Sequence, residues 1–184
     1  MIQPADRARL LAIARQAIAA SLGAGAAPDL RVSAPLAERA GAFVTLHSAG
    51  ALRGCIGHIA PDRPLAEVVA SCAVSAARTD PRFAPLVASE LADVDIEISV
   101  LSGFEPIGAV EQVEIGRHGL LVERGWSRGL LLPQVAPEWG WDAPTFVSQT
   151  CRKAGLPADA WPGGGATMMR FEAEVFGEAD RSSG

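Results

Sequence analysis

The run Leu52-Arg53-Gly54-Cys55-Ile56-Gly57-His58 places a thiol, a guanidinium and an imidazole around two glycines. In an extended segment, residues two apart project from one face, so Arg53 and Cys55 are expected as neighbours. A free thiol titrates near about 8.5, and a cation within reach lowers that by roughly 1–3 units, enough to make much of it thiolate at neutral pH. Burial acts in the opposite sense and would leave Cys55 a small packing residue. Gly54 and Gly57 permit close approach of backbone to a ligand or to another element.

Other residues extend this chemistry. Cys55 and His58 share a spacing found in halves of metal sites, but zinc needs three or four protein ligands. No companion C-x-x-C or H-x-x-x-H pair occurs, and only convergence of His47 and His118 would supply more ligands. No metal and no cofactor is therefore assigned. Glu97 and Ser99 lie on the polar side of an alternating segment, where Glu97 suits a general base if that side lines a cleft, and a solvated sheet face if it does not. Asp80-Pro81-Arg82-Phe83 offers Arg82 as an anion contact; its plainer role is a helix-ending turn with a local ion pair. Trp139, Trp141 and Trp161 suit either a ligand-binding rim or core anchors.

The elements that position these groups follow from periodicity. Asp6 is expected to cap a helix with Leu10, Ala14, Ala17, Ile18 and Leu22 on its apolar side, stopped near Gly23. The glycine-containing stretch 25–28 follows a helix rather than a strand, which excludes a phosphate-binding loop. Alternation over 42–47, a turn at 48–50 and the glycine-cysteine segment predict a hairpin. Asp62 precedes a second helix with Pro64 in its first turn and Val68, Val69, Cys72 and Ala76 on one side; it ends before Pro81. Residues 94–100 form the clearest strand, with four branched side chains facing one way. Segments 119–123 and 129–132 flank a five-residue loop, Asp142 caps a helix through Lys153, and one final strand is expected over 167–176.

Strands adjacent in sequence, with helices between groups of them, predict an α+β fold with largely antiparallel sheet and flanking helices. At 184 residues the chain is long enough for a substantial core. A net charge of −5 argues against general nucleic-acid binding, which needs a basic field. The 3 cysteines are dispersed, as expected of reduced thiols in the cytoplasm, and neither a signal-peptide pattern nor a membrane-length apolar run is present.

Together these stretches resemble the AMMECR domain family, whose members include protein A of the AmmeMemoRadiSam system. The resemblance rests on Leu52-Arg53-Gly54-Cys55-Ile56-Gly57, Ala76-Ala77, Asp80-Pro81-Arg82-Phe83 and Glu97-Ile98-Ser99-Val100-Leu101. It continues through Gly116-Arg117-His118-Gly119-Leu120, Leu132-Pro133-Gln134-Val135-Ala136, Gly140-Trp141 and Lys153-Ala154-Gly155-Leu156. Gln134 stands where the family's stretch often carries an acid, which removes a carboxylate role there.

The resemblance implies two associated α/β lobes within one domain over residues 1–184, with a boundary in the region 103–108 and the signature near a cleft. It also implies association with Memo-type and radical SAM proteins. No C-x-x-x-C-x-x-C cluster motif is present here, so no radical SAM iron-sulfur cluster is expected in this chain. Two functions follow. One is binding of a small anionic or carbonyl ligand at Arg53, Gly54, Gly57, Arg82 and Ser99, with thiol-dependent chemistry by Cys55, His118 and Glu97. The other is a non-catalytic accessory module for one of those partners, in which Trp139 and Trp141 matter for association.

Overall fold

The first helix, α1 (Pro4–Ser21), starts where Gln3 is extended and Pro4 occupies a position that needs no amide hydrogen. Asp6 lies in the first turn, where it faces the positive helix end, rather than at the cap. Leu10, Ala14, Ala17 and Ile18 are buried as the spacing predicts. In this computed structural model, which describes residues 2–32 and 34–179, the chain divides into two units. One runs to Leu101 and resumes at Glu174; the other comprises Ser102–Ala173.

The first unit holds a four-stranded sheet in the order β2-β1-β3-β8, built from β1 (Ala42–Ser48), β2 (Ala51–His58), β3 (Val94–Leu101) and β8 (Ala173–Gly177). The expected hairpin joins β1 to β2, and β1 also pairs antiparallel with β3. Val44, Leu46, Ile96 and Ile98 face a core shared with α1 and α2 (Leu65–Arg78). Each such fully buried aliphatic side chain contributes about 1.5–3 kcal/mol relative to exposure. Pro64 stands at the cap of α2 rather than inside it. The other side of β3 is not uniformly wet: Asp95 is exposed and Glu97 half-buried, but Ser99 is 1% exposed.

The second unit holds a sheet in the order β4-β7-β5-β6, from β4 (Glu105–Pro106), β5 (Gly119–Arg124), β6 (Ser127–Leu131) and β7 (Thr167–Phe171). α3 (Val135–Glu138) is a single turn; α4 (Ala143–Lys153) packs on β5 and β6. Asp142 caps α4 as expected, accepting the Thr145 N–H at 2.9 Å, and Gly155 follows in the left-handed region. Two expectations are corrected. The β5–β6 loop is not five residues long, because Glu123 pairs with Arg128 and Arg124 with Ser127, leaving a two-residue turn with Gly125 at φ 59°. The single final strand is two strands in different sheets, β7 and β8, interrupted at Glu172.

Candidate functional site

β2 is an edge strand, so the outward backbone groups of Cys55 lack a strand partner. The Asp80-Pro81-Arg82 turn beyond α2 supplies one. The Cys55 N–H donates to Asp80 Oδ2 at 2.9 Å, and Arg82 donates to the Cys55 carbonyl at 3.3 Å. Asp80 is buried and also accepts from the Arg82 amide and guanidinium, at 3.1, 3.0 and 2.7 Å. Those bonds hold its carboxyl far below the usual carboxylate range, the Arg82 side chain being the largest cause. The local ion pair expected at this turn therefore exists, and its guanidinium is engaged on Asp80 and on the backbone of the signature segment.

The two glycines of the signature have packing reasons. A Cβ at Gly54 would run into the Ala76 carbonyl of α2, and one at Gly57 into the Phe43 ring on β1. Gly54 thus brings sheet and helix together on the core side, while Gly57 makes room for an aromatic ring. Close packing accounts for both positions without a ligand.

The Arg53–Cys55 pairing expected from an extended segment does not form. Register shifts between Leu46 and His47, so Leu46 opposes Gly54 and His47 opposes Leu52, leaving Arg53 as the extra residue of a bulge. Its guanidinium donates to Glu90 at 3.1–3.2 Å and to the Ala84 carbonyl at 3.0 Å. The side chain that hydrogen-bonds to the thiol is instead Thr45, directly opposite on β1, whose hydroxyl donates to Cys55 Sγ at 3.3 Å. Thr45 also opposes Glu97 on β3, so Cys55, Thr45 and Glu97 form one row across three strands and share a face. Gly57, Phe43 and Ser99 form the next row on that face. The Ser99 hydroxyl has no hydrogen-bond partner among the described residues.

Cys55 is half-buried, whereas Cys72 and Cys151 are buried. Burial raises both of those thiols, Cys72 to about 11. Cys55 and His58 are three residues apart in one strand, so their side chains take opposite faces and do not make half a metal site. His58 Nε2 lies 2.7 Å from Asp62 Oδ1. Among the described residues no group of three or more His, Cys, Asp and Glu side chains is placed to hold a metal. No helix among them is long and apolar enough to cross a membrane.

His118 belongs to the second unit, whereas Cys55, Glu97, Arg53, Arg82 and Ser99 belong to the first. It is 7% exposed, and its Nδ1 accepts the Glu114 N–H at 2.9 Å. Burial, then Arg170 and Arg117, hold its pKa below the ordinary histidine value. Trp161 is a core residue of the second unit, Trp141 packs partly against that core, and Trp139 stacks on Trp141 at 5.9 Å while staying exposed. Thr45 and Glu90 escape a reading by sequence neighbourhood because each meets its partner across the sheet or through a distant turn. The only available signal for Thr45 is the hairpin, which makes it face Cys55 once the bulge is known.

Residues 11–176 match the AMMECR1 family model. A protein of Methanothermobacter thermautotrophicus is 49% identical over 147 residues, covering 77% of this chain and 77% of its own. A protein of Methanosarcina mazei is 43% identical over 178 residues, covering 91% and 89% respectively. The crystal structure of an uncharacterised protein of Pyrococcus horikoshii is similar at a TM-score of 0.84 and 41% identity, covering 92% of this chain and 89% of that one. With its glycine-cysteine signature folded as an edge strand clamped by Asp80 and Arg82, and with the match extending through both units, this chain belongs to the AMMECR1 family.

Proposed function

We propose that the protein binds a small carbonyl compound on the Cys55 face of the first unit's sheet and that the Cys55 thiol adds to it. The observation that carries this reading is the Thr45 hydroxyl 3.3 Å from Cys55 Sγ, in a row that continues to Glu97. The Thr45 hydroxyl donates to Cys55 Sγ and so fixes the direction of the sulfur on this face. Arg53 is occupied by Glu90, and Arg82 by Asp80, so a carbonyl suits this face better than the anion that the Arg-Gly-Cys spacing suggested.

In the addition, the thiol proton passes through solvent to Glu97, which stands one strand beyond Thr45, sulfur forms a bond to the carbonyl carbon, and the carbon-oxygen π bond breaks. The proton then passes from Glu97 to the new alkoxide, giving a hemithioacetal or hemithioketal with no redox change. Fixed backbone at Cys55 keeps sulfur on this face, and the clamp by Asp80 and Arg82 provides it.

The test is the rate of iodoacetamide labelling at position 55 against pH for the wild type, Thr45→Val, Glu97→Gln and Cys55→Ser. The folded wild type should label at position 55, Cys55→Ser should abolish that labelling, and Thr45→Val should slow it by about fivefold, the equivalent of one ordinary hydrogen bond. Labelling that is slow at every pH in the folded protein removes the thiol reading.

A second reading, an accessory module for a Memo-type or radical SAM partner, draws support from the exposed indoles of Trp126 and Trp139 in the second unit. Tryptophan is enriched among residues that dominate protein interfaces. Loss of partner capture in Trp139→Ala with retention in Cys55→Ser is the expected pattern, and the reverse pattern overturns it.

A further inference from the structure

We infer that the second unit carries a binding site for a small organic ammonium with an adjacent carbonyl, an amino-acid amide in chemical class, in the cavity walled by His118, Glu111 and the Phe104–Phe171 pair. This site does not depend on the Cys55 reading, since every residue lining it lies in Ser102–Ala173. The cavity is ≈ 580 Å³, within the range of small-molecule sites.

Charge selects the ligand's sign. Among the lining residues, Glu105, Glu111, Glu114 and Glu172 carry carboxylates, against the guanidinium groups of Arg117 and Arg170. Both cations are already engaged: Arg117 with Glu172 at 2.9 Å and Glu114 at 3.2 Å, and Arg170 with Glu105 at 3.0 Å. Glu111 has no cationic partner among the described residues, so the wall carries an excess of negative charge that attracts an ammonium and repels a carboxylate.

His118 selects the neighbouring group. With Nδ1 accepting the Glu114 N–H, the neutral ring carries its proton on Nε2. Nε2 has no protein partner among the described residues, although the side chain is almost fully buried and lines the cavity. Ser99 Oγ is the one buried side-chain polar atom without a partner among the described residues, so Nε2 opens onto the cavity, where a ligand carbonyl can accept its proton. Phe104 and Phe171 meet edge-on with centroids 5.3 Å apart and offer an apolar wall for the ligand's substituent.

The probe is phenylalaninamide, followed through the Cε1–H signal of His118 by NMR at neutral pH, with His47→Gln and His58→Gln used to distinguish the histidine signals. The expected result is a saturable shift of the His118 signal, at least tenfold weaker binding of N-acetylphenylalaninamide, and weakening of several fold in Glu111→Gln. Glu111 is exposed, so this variant should fold, and an unchanged spectrum outside the cavity checks it. A phenylalanine-initiated tripeptide amide that binds more tightly than phenylalaninamide supports the site and identifies its ligand as a peptide N-terminus. The inference is overturned if His118 shows no saturable shift at ligand concentrations of about ten millimolar, the weak end of fragment affinity. It is equally overturned if the acetylated probe binds as well as the amine, or if folded Glu111→Gln binds phenylalaninamide unchanged.

Discussion

Asp80 Oδ2 accepts the backbone N–H of Cys55 at 2.9 Å, joining two residues 25 apart in sequence and fixing the edge strand at the position of its thiol. One buried carboxylate thereby holds Arg82 and satisfies an edge amide. Asp80→Ala should cost about 2–4 kcal/mol, because it leaves the Cys55 N–H without its acceptor and Arg82 without its counter-charge. Urea denaturation measures the loss, and hydrogen exchange should show the Cys55 amide among those most accelerated.

The same carboxylate gives a pH dependence. Its folded pKa lies below the unfolded value, so its contribution is complete above the ordinary carboxylate range, about pH 4, and fades as pH falls toward the folded value. Stability measured from pH 5 downward should therefore decline less steeply in Asp80→Asn than in the wild type.

Gly54→Ala should be more damaging than Gly57→Ala, since the first Cβ meets the backbone carbonyl of Ala76 and the second meets the movable ring of Phe43. We expect about 1–3 kcal/mol for the first, the range for overpacked cores. Adding Phe43→Leu should recover part of the loss in Gly57→Ala and none of it in Gly54→Ala; thermal melts of the two double variants provide the comparison.

Arg53→Ala should change the alkylation rate of Cys55 by less than about threefold, because the guanidinium is held by Glu90 in a partly exposed pair worth at most about 1 kcal/mol. A larger slowing of iodoacetamide labelling would mean that Arg53 acts on the thiol in solution. Disulfide-exchange titration with an aromatic disulfide reagent should find one accessible thiol in the native protein and all 3 after denaturation, as burial keeps Cys72 and Cys151 protonated and out of reach.

His118 should titrate below the ordinary histidine value of about 6.5, since burial, Arg170 and Arg117 oppose its protonation more than Glu114 and Glu172 favour it. Its folded pKa being depressed, its contribution to stability is present above the unfolded pKa and is lost as pH falls through the folded one. An NMR titration of the His118 ring, paired with denaturation curves between pH 7.5 and 5, tests both the direction and the linkage.

Local rules carry much of this protein. The period of 3.6 puts Leu10, Ala14 and Ile18 on the inner side of α1, the period of 2 puts Ile96 and Ile98 inside, and Asp142 and Gly155 bracket α4, because each depends on residues a turn or a strand apart. The α+β class follows from the order of such elements, and the signature strings suffice for the family. What the sequence does not determine is which distant groups meet. Arg53 turns to Glu90 because a bulge shifts register, Thr45 reaches Cys55 because the hairpin pairs them, and β7 parts from β8 because the two strands hydrogen-bond in different sheets. A side chain's spacing fixes its face, but its partner is fixed by strand order and packing, and those belong to the folded chain alone.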